Sequence, residues 1–305
     1  MRGGEEFLNP EAIKVALIEM CQEENIDILF HTLAVDVLVD KENEIPLLKG
    51  VVFENKTGRF AITAKVVIDA TADLDLVWRA IGEEGCGLQN PQKRMTRSFY
   101  TWFAGVDNEK FVKWFVNESG ANGVYPDPKE RPEKVLKHLK EGKEIKISGG
   151  AFQPILEQAA EEGLMDPIEK AMEEAQCWGM VSLGMKWVGH DRWSPALLNI
   201  NNLNMLDAWQ LTEHEILRQK LDFYILPIMQ KIPGWENAYI SREAKHMGSR
   251  ETRYLKAVKM IDEDYVMDPK HAKNPTPPDT IGRSGGHDPG KNKLWAGYRI
   301  PFGIL

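Results

Sequence analysis

The run Val66-Val67-Ile68, followed by Asp69-Ala70-Thr71-Ala72-Asp73, constrains the fold more than any other part of the sequence. A continuous apolar run is typical of a strand covered on both faces, as in a parallel sheet between helices. Small residues directly after such a strand let a ligand approach the backbone, and ligands of open α/β sheets bind at that end. The sequence therefore predicts an interior strand over 66–68 with a ligand cleft at its carboxyl end.

The residues before this run predict one helix and a small antiparallel sheet. Asn9 and Pro10 are typical of a helix start, and apolar residues recur at helical spacing as far as Glu23. The turn Asn55-Lys56-Thr57-Gly58 lies between two alternating segments and predicts a hairpin. One short buried strand and three strands of an antiparallel sheet are expected: Ile26–Phe30, Ala34–Val39, Gly50–Glu54 and Arg59–Thr63.

From about Asp107 the sequence becomes more charged and largely helical, which predicts a domain boundary there. Thr212 and Glu215 have the spacing of a capping box, with Pro227 bending or ending the helix that follows. Residues 275–290 are rich in Pro and Gly and predict irregular structure. The other predicted helices are Asp107–Glu118, Arg131–Glu141 and Phe152–Glu162, and the predicted strands are Phe99–Phe103, Met180–Val188, Leu197–Leu203 and Ala238–Ser241.

The composition narrows the classes of partner. A formal net charge of -8 disfavours nucleic acid or an anionic membrane surface as the main partner. No apolar run approaches the roughly 20 residues that cross a bilayer, and the first residues lack a signal-peptide core, so a cytoplasmic location is expected. Small molecules or other proteins remain as partners.

No metal site is predicted. Cys21, Cys86 and Cys177 are odd in number and far apart, which argues against a disulfide framework and against CxxC-type ligation. The segments around His190 and His214 match no metal-ligand spacing and are expected to be surface or capping residues.

Seven short segments, taken in their order, carry a resemblance to a known family. They are Asn9-Pro10-Glu11-Ala12, His31-Thr32 before a valine-rich strand, Val66 to Asp73, Pro233-Gly234-Trp235-Glu236-Asn237-Ala238, Gly248-Ser249-Arg250-Glu251-Thr252-Arg253, Asp279-Thr280-Ile281-Gly282 and Tyr298-Arg299-Ile300-Pro301. Over nearly its whole length the chain resembles the FAD-dependent oxidoreductases that share the glutathione-reductase type of flavin fold and carry a large inserted substrate domain.

This resemblance implies an α/β fold: an incomplete Rossmann-type FAD-binding domain with a small antiparallel sheet, and an inserted α+β substrate domain. Residues 1–106 and 280–305 would belong to the FAD-binding domain, and residues 107–279 to the insertion. It further implies that FAD contacts the backbone near Ala34 and passes beside Ala70, Thr71, Ala72 and Asp73. Ala72 stands where the family has a glycine, and its methyl group disfavours a positive φ.

Two further segments are candidates for chemistry. Arg250 and Arg253 bracket Glu251, and two guanidiniums can clamp a substrate anion or stabilise charge on a reduced flavin. The resemblance places them near the flavin ring, while an ion-pair network between domains is an equally weighted interpretation. His287 resembles a position facing the substrate and could donate or accept a proton, or could be a solvated loop histidine.

No GxGxxG occurs in the sequence, although the FAD pyrophosphate needs such a loop before a helix N-terminus. Both ends of the chain also lack the segments that a complete flavin domain needs. Three interpretations therefore stay open: an FAD-dependent oxidoreductase acting on a small-molecule substrate, a non-catalytic or truncated flavin-fold protein acting as a binding subunit, and one half of a split flavoenzyme. In the last, a second chain supplies the GxGxxG unit.

Overall fold

The computed structural model describes residues 10–42, 46–88, 99–117, 124–125, 132–142, 145–147, 152–181, 183–195, 198–201, 204–248, 252–257, 280–284, 287–288, 293–294 and 298–301. The chain divides into two compact units. Unit 1 comprises residues 1–28 and 90–252, and unit 2 comprises residues 29–89 and 253–305. The domain boundaries expected from the sequence, at residues 107 and 279, remain predictions.

Helices and antiparallel strands alternate along the chain. The helices are α1 (Pro10–Glu23), α2 (Asp75–Ile81), α3 (Asn108–Asn117), α4 (Pro132–Lys140), α5 (Gln153–Glu161), α6 (Asp166–Glu174) and α7 (Ala208–Met229). The strands are β1 (Leu33–Asp40), β2 (Leu47–Asn55), β3 (Gly58–Thr63), β4 (Cys86–Leu88), β5 (Trp102–Ala104), β6 (Val124–Tyr125), β7 (Lys146–Ile147), β8 (Trp178–Val181), β9 (Met185–Gly189), β10 (Arg192–Pro195), β11 (Leu198–Asn201), β12 (Tyr239–Arg242), β13 (Arg253–Leu255), β14 (Thr280–Ser284), β15 (His287–Asp288), β16 (Lys293–Leu294) and β17 (Tyr298–Pro301).

Unit 1 is organised around a six-stranded antiparallel sheet in the order β12-β5-β10-β9-β7-β6. Phe111 on α3 lies at the centre of its core, with ring centroids of Trp193 and Trp235 at 5.0 and 5.7 Å in edge-to-face geometry. Such pairs are favourable because a ring's positive edge meets a negative face. The long helix α7 packs Leu221 and Ile225 into the same core. Unit 1 thus has a packed aromatic and aliphatic core of its own.

Unit 2 contains the meander β1-β2-β3, and α2 packs against β1. The two hairpin strands turn over Lys56 and Thr57, where the Asn55 side chain accepts a hydrogen bond from the Thr57 amide at 2.8 Å. This side-chain-to-backbone bond explains why the segment forms a tight turn. Strand β13 pairs with β4, and β14 to β17 form two further antiparallel pairs.

Most predicted elements are confirmed. Helix α1, the three-stranded sheet, helices α3 to α5 and strand β11 lie within a few residues of their expected bounds. The strand expected over Met180–Val188 is split into β8 and β9. These elements carry their own local signals, and alternation or helical spacing sufficed to locate them.

Two predicted strands are absent. Residues 26–30 and 66–68 have no regular secondary structure, and Val66 and Ile68 are 78% and 84% exposed. Among the strand pairs in the described ranges, all are antiparallel. A parallel strand gains its ladder of hydrogen bonds only from neighbours on its two sides, and no described strand lies beside these runs. The prediction of an interior strand at 66–68 is therefore wrong for this structure.

Two smaller predictions are also wrong. The helix expected after a Thr212–Glu215 capping box starts earlier, because Asp207 is the N-cap and accepts hydrogen bonds from the amides of Trp209 and Gln210. Residues 275–290, expected to be irregular, include strands β14 and β15. The capping box failed because an aspartate upstream offered the helix an equally good cap.

Candidate functional site

The turn from Asp69 to the start of α2 is built by one carboxylate. Asp69 Oδ1 accepts hydrogen bonds from the Thr71 amide and hydroxyl at 3.0 and 2.7 Å. Its Oδ2 accepts from the amides of Leu76 and Val77, each at 3.0 Å. Because amides at the first turn of a helix lack partners within the helix, Asp69 caps α2 from outside it. The carboxylate therefore ties both ends of the turn together.

The ionisation of Asp69 follows from these bonds. Partial burial raises the pKa of Asp69, but the hydrogen bonds from Thr71, Val77 and Leu76 prevail and lower its pKa below the ordinary value. Charge-assisted bonds of this kind favour the ionised form. The turn therefore carries a permanent negative charge at neutral pH, already matched by backbone donors.

The turn contains two residues in the left-handed conformation, Ala72 with φ 71° and Leu74 with φ 56°. Glycine adopts this region freely, whereas a Cβ atom makes it unfavourable by about 1–2 kcal/mol. Ala72 thus holds the conformation that its methyl group disfavours, at the position where the resemblance implies a glycine. Ala70 and Ala72 are both exposed, so the backbone at this turn is accessible to a ligand.

Arg253, on strand β13, contacts the same turn through hydrogen bonds and a stacked aromatic ring. Its Nη1 donates to the Asp73 carbonyl oxygen at 2.7 Å and to Asp75 Oδ1 at 2.8 Å. The guanidinium also lies over the Trp78 ring, 5.0 Å from the centroid. Only 11% of the Arg253 side chain is exposed. A planar guanidinium suits this role because it can stack and donate at once.

The neighbouring strands β4 and β13 pack too closely for a side chain at Gly87. A Cβ atom on Gly87 would lie 2.2 Å from the Tyr254 ring, so the tyrosine covers bare backbone at this position. Cys86 beside it is buried, and burial raises the pKa of its thiol while the Arg253 charge opposes the shift. A neutral buried thiol is a poor nucleophile. Cys86 therefore serves packing.

The structure brings some of the predicted site residues together. Ala70, Thr71, Ala72 and Asp73 form the turn, and Arg253 contacts it directly. Ala34 lies in β1, half-buried, and pairs with Phe53 just before a bulge.

The side chains of the remaining predicted site residues are not among those that the structure describes. Arg250 and Glu251 lie outside the described residues. His287 lies in the two-residue strand β15, where the backbone alone is described. Their catalytic roles therefore stay predictions.

Sequence reasoning missed the residues that hold the turn in place. Asp69 carries most of its hydrogen bonds, and Asp75 and Trp78 hold Arg253. A signal for Asp69 was present, since an aspartate two residues before a threonine is typical of a side-chain-capped turn. No sequence pattern indicated Asp75 or Trp78, because their partner lies far along the chain.

A second polar cluster lies inside unit 1. Asp222 on α7 is fully buried, accepts a short hydrogen bond from the Thr101 hydroxyl, and lies 3.3 Å from Arg218. Burial raises the pKa of Asp222 to about 6, although Thr101 and Arg218 oppose the shift. Arg218 also binds Glu215, at 2.9 Å, so its charge is shared between two carboxylates.

This cluster corrects a further expectation from the sequence. His214, expected at the surface or as a capping residue, is 3% exposed. Burial lowers the pKa of His214, so it is neutral at physiological pH. The cluster lies on the core-facing side of α7, where His214 follows the helical spacing of Arg218 and Asp222.

The described ranges contain neither a cluster of metal ligands nor a membrane-spanning helix. No group of three or more His, Cys, Asp and Glu side chains is arranged there to hold a metal ion. None of the helices within those ranges is both long and apolar enough to span a bilayer.

The family model of the FAD dependent oxidoreductases matches residues 2–288, almost the whole sequence. The chain belongs to this family. Members use FAD as their cofactor and are oxidoreductases, so the chain is a flavoprotein-family member with mixed helices and small antiparallel sheets, consistent with an α/β FAD-binding fold. Comparison with curated proteins and with solved structures found no match.

Proposed function

We propose that the turn 69–75 of this chain forms one wall of an FAD site, and that FAD held there exchanges a hydride or electrons with a small-molecule substrate. The observation that carries the proposal is a turn closed by the hydrogen bonds of Asp69, with exposed, small side chains, in a member of an FAD-dependent family. Flavin supplies the redox chemistry, while the protein binds, orients and excludes water.

The residues of the turn fit a flavin along this wall. Ala70 and Ala72 present exposed backbone with no side chain larger than a methyl group, which permits the close approach of a flat ring system. The amides of Leu76 and Val77 are already bonded to Asp69 and are not offered to a phosphate. The wall therefore fits an uncharged part of the cofactor better than the pyrophosphate.

The pyrophosphate needs donors from elsewhere, since the sequence contains no GxGxxG. We propose that a GxGxxG unit outside the printed sequence, in the same polypeptide or in a second chain, pairs with residues 66–68. Val66 and Ile68 favour this, since both are exposed and neither pairs with a described strand. An added strand would satisfy the backbone and cover both side chains.

Arg253 is assigned as a positioning residue. Its Nη1 is engaged by Asp73 and Asp75, so its role is to fix the turn against which the cofactor binds. Arg250 and Glu251 are proposed to contact the substrate anion or the reduced flavin, and His287 to exchange a proton with the substrate. These assignments rest on the family resemblance and on the chemistry of the side chains.

The direct test is flavin binding. The chain is titrated with FAD, alone and with a polypeptide carrying a strand-GxGxxG-helix unit, and binding is followed by flavin fluorescence. We expect weak binding by the chain alone and at least about tenfold tighter binding with the added unit. No binding in either case would contradict the proposal. If FAD binds but none of a panel of substrates reduces it, the result would favour the binding-subunit interpretation.

Two matched substitutions locate the cofactor. Ala70→Phe fills the proposed wall and should weaken FAD binding at least about tenfold, roughly 1.4 kcal/mol. Ala61→Phe is the control, because Ala61 is also exposed and lies within β3, where it pairs with Val52 outside the turn. Equal effects of the two substitutions would show that the cofactor does not contact Ala70.

Arg253 is tested by Arg253→Lys, which keeps the charge but loses the fork geometry that binds Asp73 and Asp75. We expect weaker FAD binding together with a lower unfolding temperature of unit 2. Lys256→Met is the control, since Lys256 is exposed and its Nζ donates to the Glu83 carbonyl oxygen, which lies outside the turn. An unchanged FAD affinity in Arg253→Lys would remove the positioning role.

A further inference from the structure

Helix α7 has an apolar stripe on the face opposite the core. Trp209, Ile216 and Phe223 are 82%, 52% and 60% exposed. They are spaced seven residues apart, and since a helix turns about 100° per residue, seven residues return to within about 20° of the same direction. The exposed large apolar side chains of the helix therefore form one straight stripe along its outer face.

Polar residues flank this stripe in an ordered way. Taking Ile216 as the midpoint, Glu213 and Lys220 lie about 40–60° to one side, and Thr212 and Gln219 lie equally far to the other. Opposite charges thus share one flank, placed on either side of the midpoint. Uncharged residues occupy the other flank.

We propose that this outer face of α7 is a self-association surface on which two copies of the chain pair antiparallel, around a two-fold axis at Ile216. Such an axis keeps each flank on its own side and reverses the helix direction. Trp209 of one copy then meets Phe223 of the other, and Ile216 meets Ile216. Glu213 of one copy faces Lys220 of the other, twice over.

The charges select this arrangement over its alternatives. A parallel pairing would bring the flank of Glu213 and Lys220 against the flank of Thr212 and Gln219, so no opposite charges would meet. Opposite charges that flank an apolar seam set the partner and the orientation of helix pairs. The sequence of α7 is therefore complementary to itself only when antiparallel.

The protein surface beside the stripe contains a recess. A recess on the charged flank is bordered by Glu174 and Gln176 at the end of α6 and by Glu213 and Lys220. The recess adds a further carboxylate, Glu174, on the side where Lys220 of the other copy would lie. The two carboxylates, Glu174 and Glu213, are complementary to the charge of that lysine.

The expected dimer is weak, because the stripe is narrow. An aromatic side chain buries roughly 150–250 Å², and the two tryptophans and two phenylalanines of the pair give less than the roughly 1,600 Å² of a standard interface. We therefore expect a dissociation constant on the order of 10 µM. The association does not require FAD, so its test is independent of the proposed cofactor site.

Sedimentation velocity of the full chain without FAD tests the proposal, at concentrations up to the order of 100 µM. We expect a monomer–dimer equilibrium that Ile216→Glu weakens at least about tenfold. Because residue 216 is exposed, the substitution leaves the fold intact, which far-UV circular dichroism verifies. Gln210→Glu is the control, since exposed Gln210 lies off the stripe. A monomer at every concentration, or a dimer insensitive to Ile216→Glu, overturns the proposal.

Charge reversal tests the antiparallel orientation. Glu213→Lys and Lys220→Glu should each weaken the dimer several-fold, because each places like charges face to face. The double variant E213K/K220E should restore the wild-type affinity, since the reversed pair is again complementary. Restored affinity identifies two copies paired antiparallel. A double variant as weak as the single ones excludes this arrangement.

Discussion

The two units differ in how many of their apolar side chains are buried in a core. In unit 1, Phe111, Trp193 and Trp235 are essentially inaccessible to solvent. In unit 2, among residues 29–42, 46–88 and 253–257, whose side chains the structure describes, the buried hydrophobic side chains are Val51, Leu76 and Cys86. Unit 1 is thus stabilised by its own core. Unit 2 instead exposes large apolar side chains such as Phe30, Val66 and Ile68, and exposed apolar area is unfavourable in water.

The same contrast holds for their aspartates. Asp69 in unit 2 is surrounded by amide donors, and its pKa is lowered. Asp222 in unit 1 is fully buried, and although Thr101 and Arg218 contact it, desolvation raises its pKa to about 6. Identical carboxylates shift in opposite directions because donors favour the charged form, whereas desolvation favours the neutral one. A charged turn that is held by hydrogen bonds, as at Asp69, suits the wall of a binding site. A buried carboxyl group with a raised pKa, as at Asp222, suits a packed interior.

The largest expected difference between the units is the loss of stability when a phenylalanine side chain is removed. Phe111→Ala should lower the free energy of unfolding of unit 1 by about 3–5 kcal/mol, because it leaves a cavity among five aromatic neighbours. Phe30→Ala in unit 2, where the ring is 63% exposed, should change stability by less than about 0.5 kcal/mol. Urea denaturation measures both. Similar losses would remove the contrast in core packing.

The pH dependence of unit 1 gives the next largest effect. Since the folded-state pKa of Asp222 exceeds its unfolded value of about 3.9, the folded state binds the proton more tightly. Its free energy of unfolding should therefore fall by about 2 kcal/mol as pH rises from about 4 to 6. The groups facing Asp222 are Thr101, Arg218 and, more distantly, Glu243.

Asp222→Asn provides the control for this slope. Asparagine keeps an acceptor for the Thr101 hydroxyl but does not titrate, so the loss of stability between about pH 4 and 6 should disappear. Denaturation curves at several pH values, monitored by tryptophan fluorescence, measure the slope. A variant that keeps the full wild-type slope would show that another group causes it.

The cap of α2 is a smaller effect in unit 2. Asp69→Ala should lower the stability of unit 2 by about 1.5 kcal/mol, because four donors lose their acceptor. Exposed Glu42→Ala is the comparison and should be neutral. The depressed pKa of Asp69 predicts that its contribution is present above about pH 4 and is lost as pH falls through the folded pKa. Hydrogen exchange of the α2 amides reads out both effects, and unchanged protection in Asp69→Ala would contradict the capping role.

The smallest effect concerns the left-handed alanine. Ala72→Gly should stabilise the turn by about 0.5 kcal/mol, since the relief of strain outweighs the entropy that glycine adds to the unfolded chain. Ala70→Gly, at a position without a positive φ, should instead destabilise it by about 0.5 kcal/mol. Thermal unfolding distinguishes the two signs. Destabilisation by both substitutions would mean that Ala72 is not strained.

Elements with a local cause were predictable from the sequence. The hairpin over Lys56 and Thr57 and helix α1 were confirmed, because turn residues and apolar spacing act over a few neighbouring residues. The family and its FAD were recognised from ordered short segments and are confirmed by the match over residues 2–288. The apolar run at 66–68 led to the wrong prediction of an interior strand. An apolar run indicates that both faces of a strand would be covered, but it does not show whether a neighbouring strand is present to pair with it.

The sequence by itself determined the family, the cofactor, the small antiparallel sheet and most helices. Tertiary structure alone decided what Arg253 does. Its bonds to Asp73 and Asp75 join residues 180 and 178 positions apart, and no pattern of neighbouring residues encodes such a contact. It decided the charges of Asp69 and Asp222 as well, because a pKa depends on the donors and the solvent around a group, and the fold sets both.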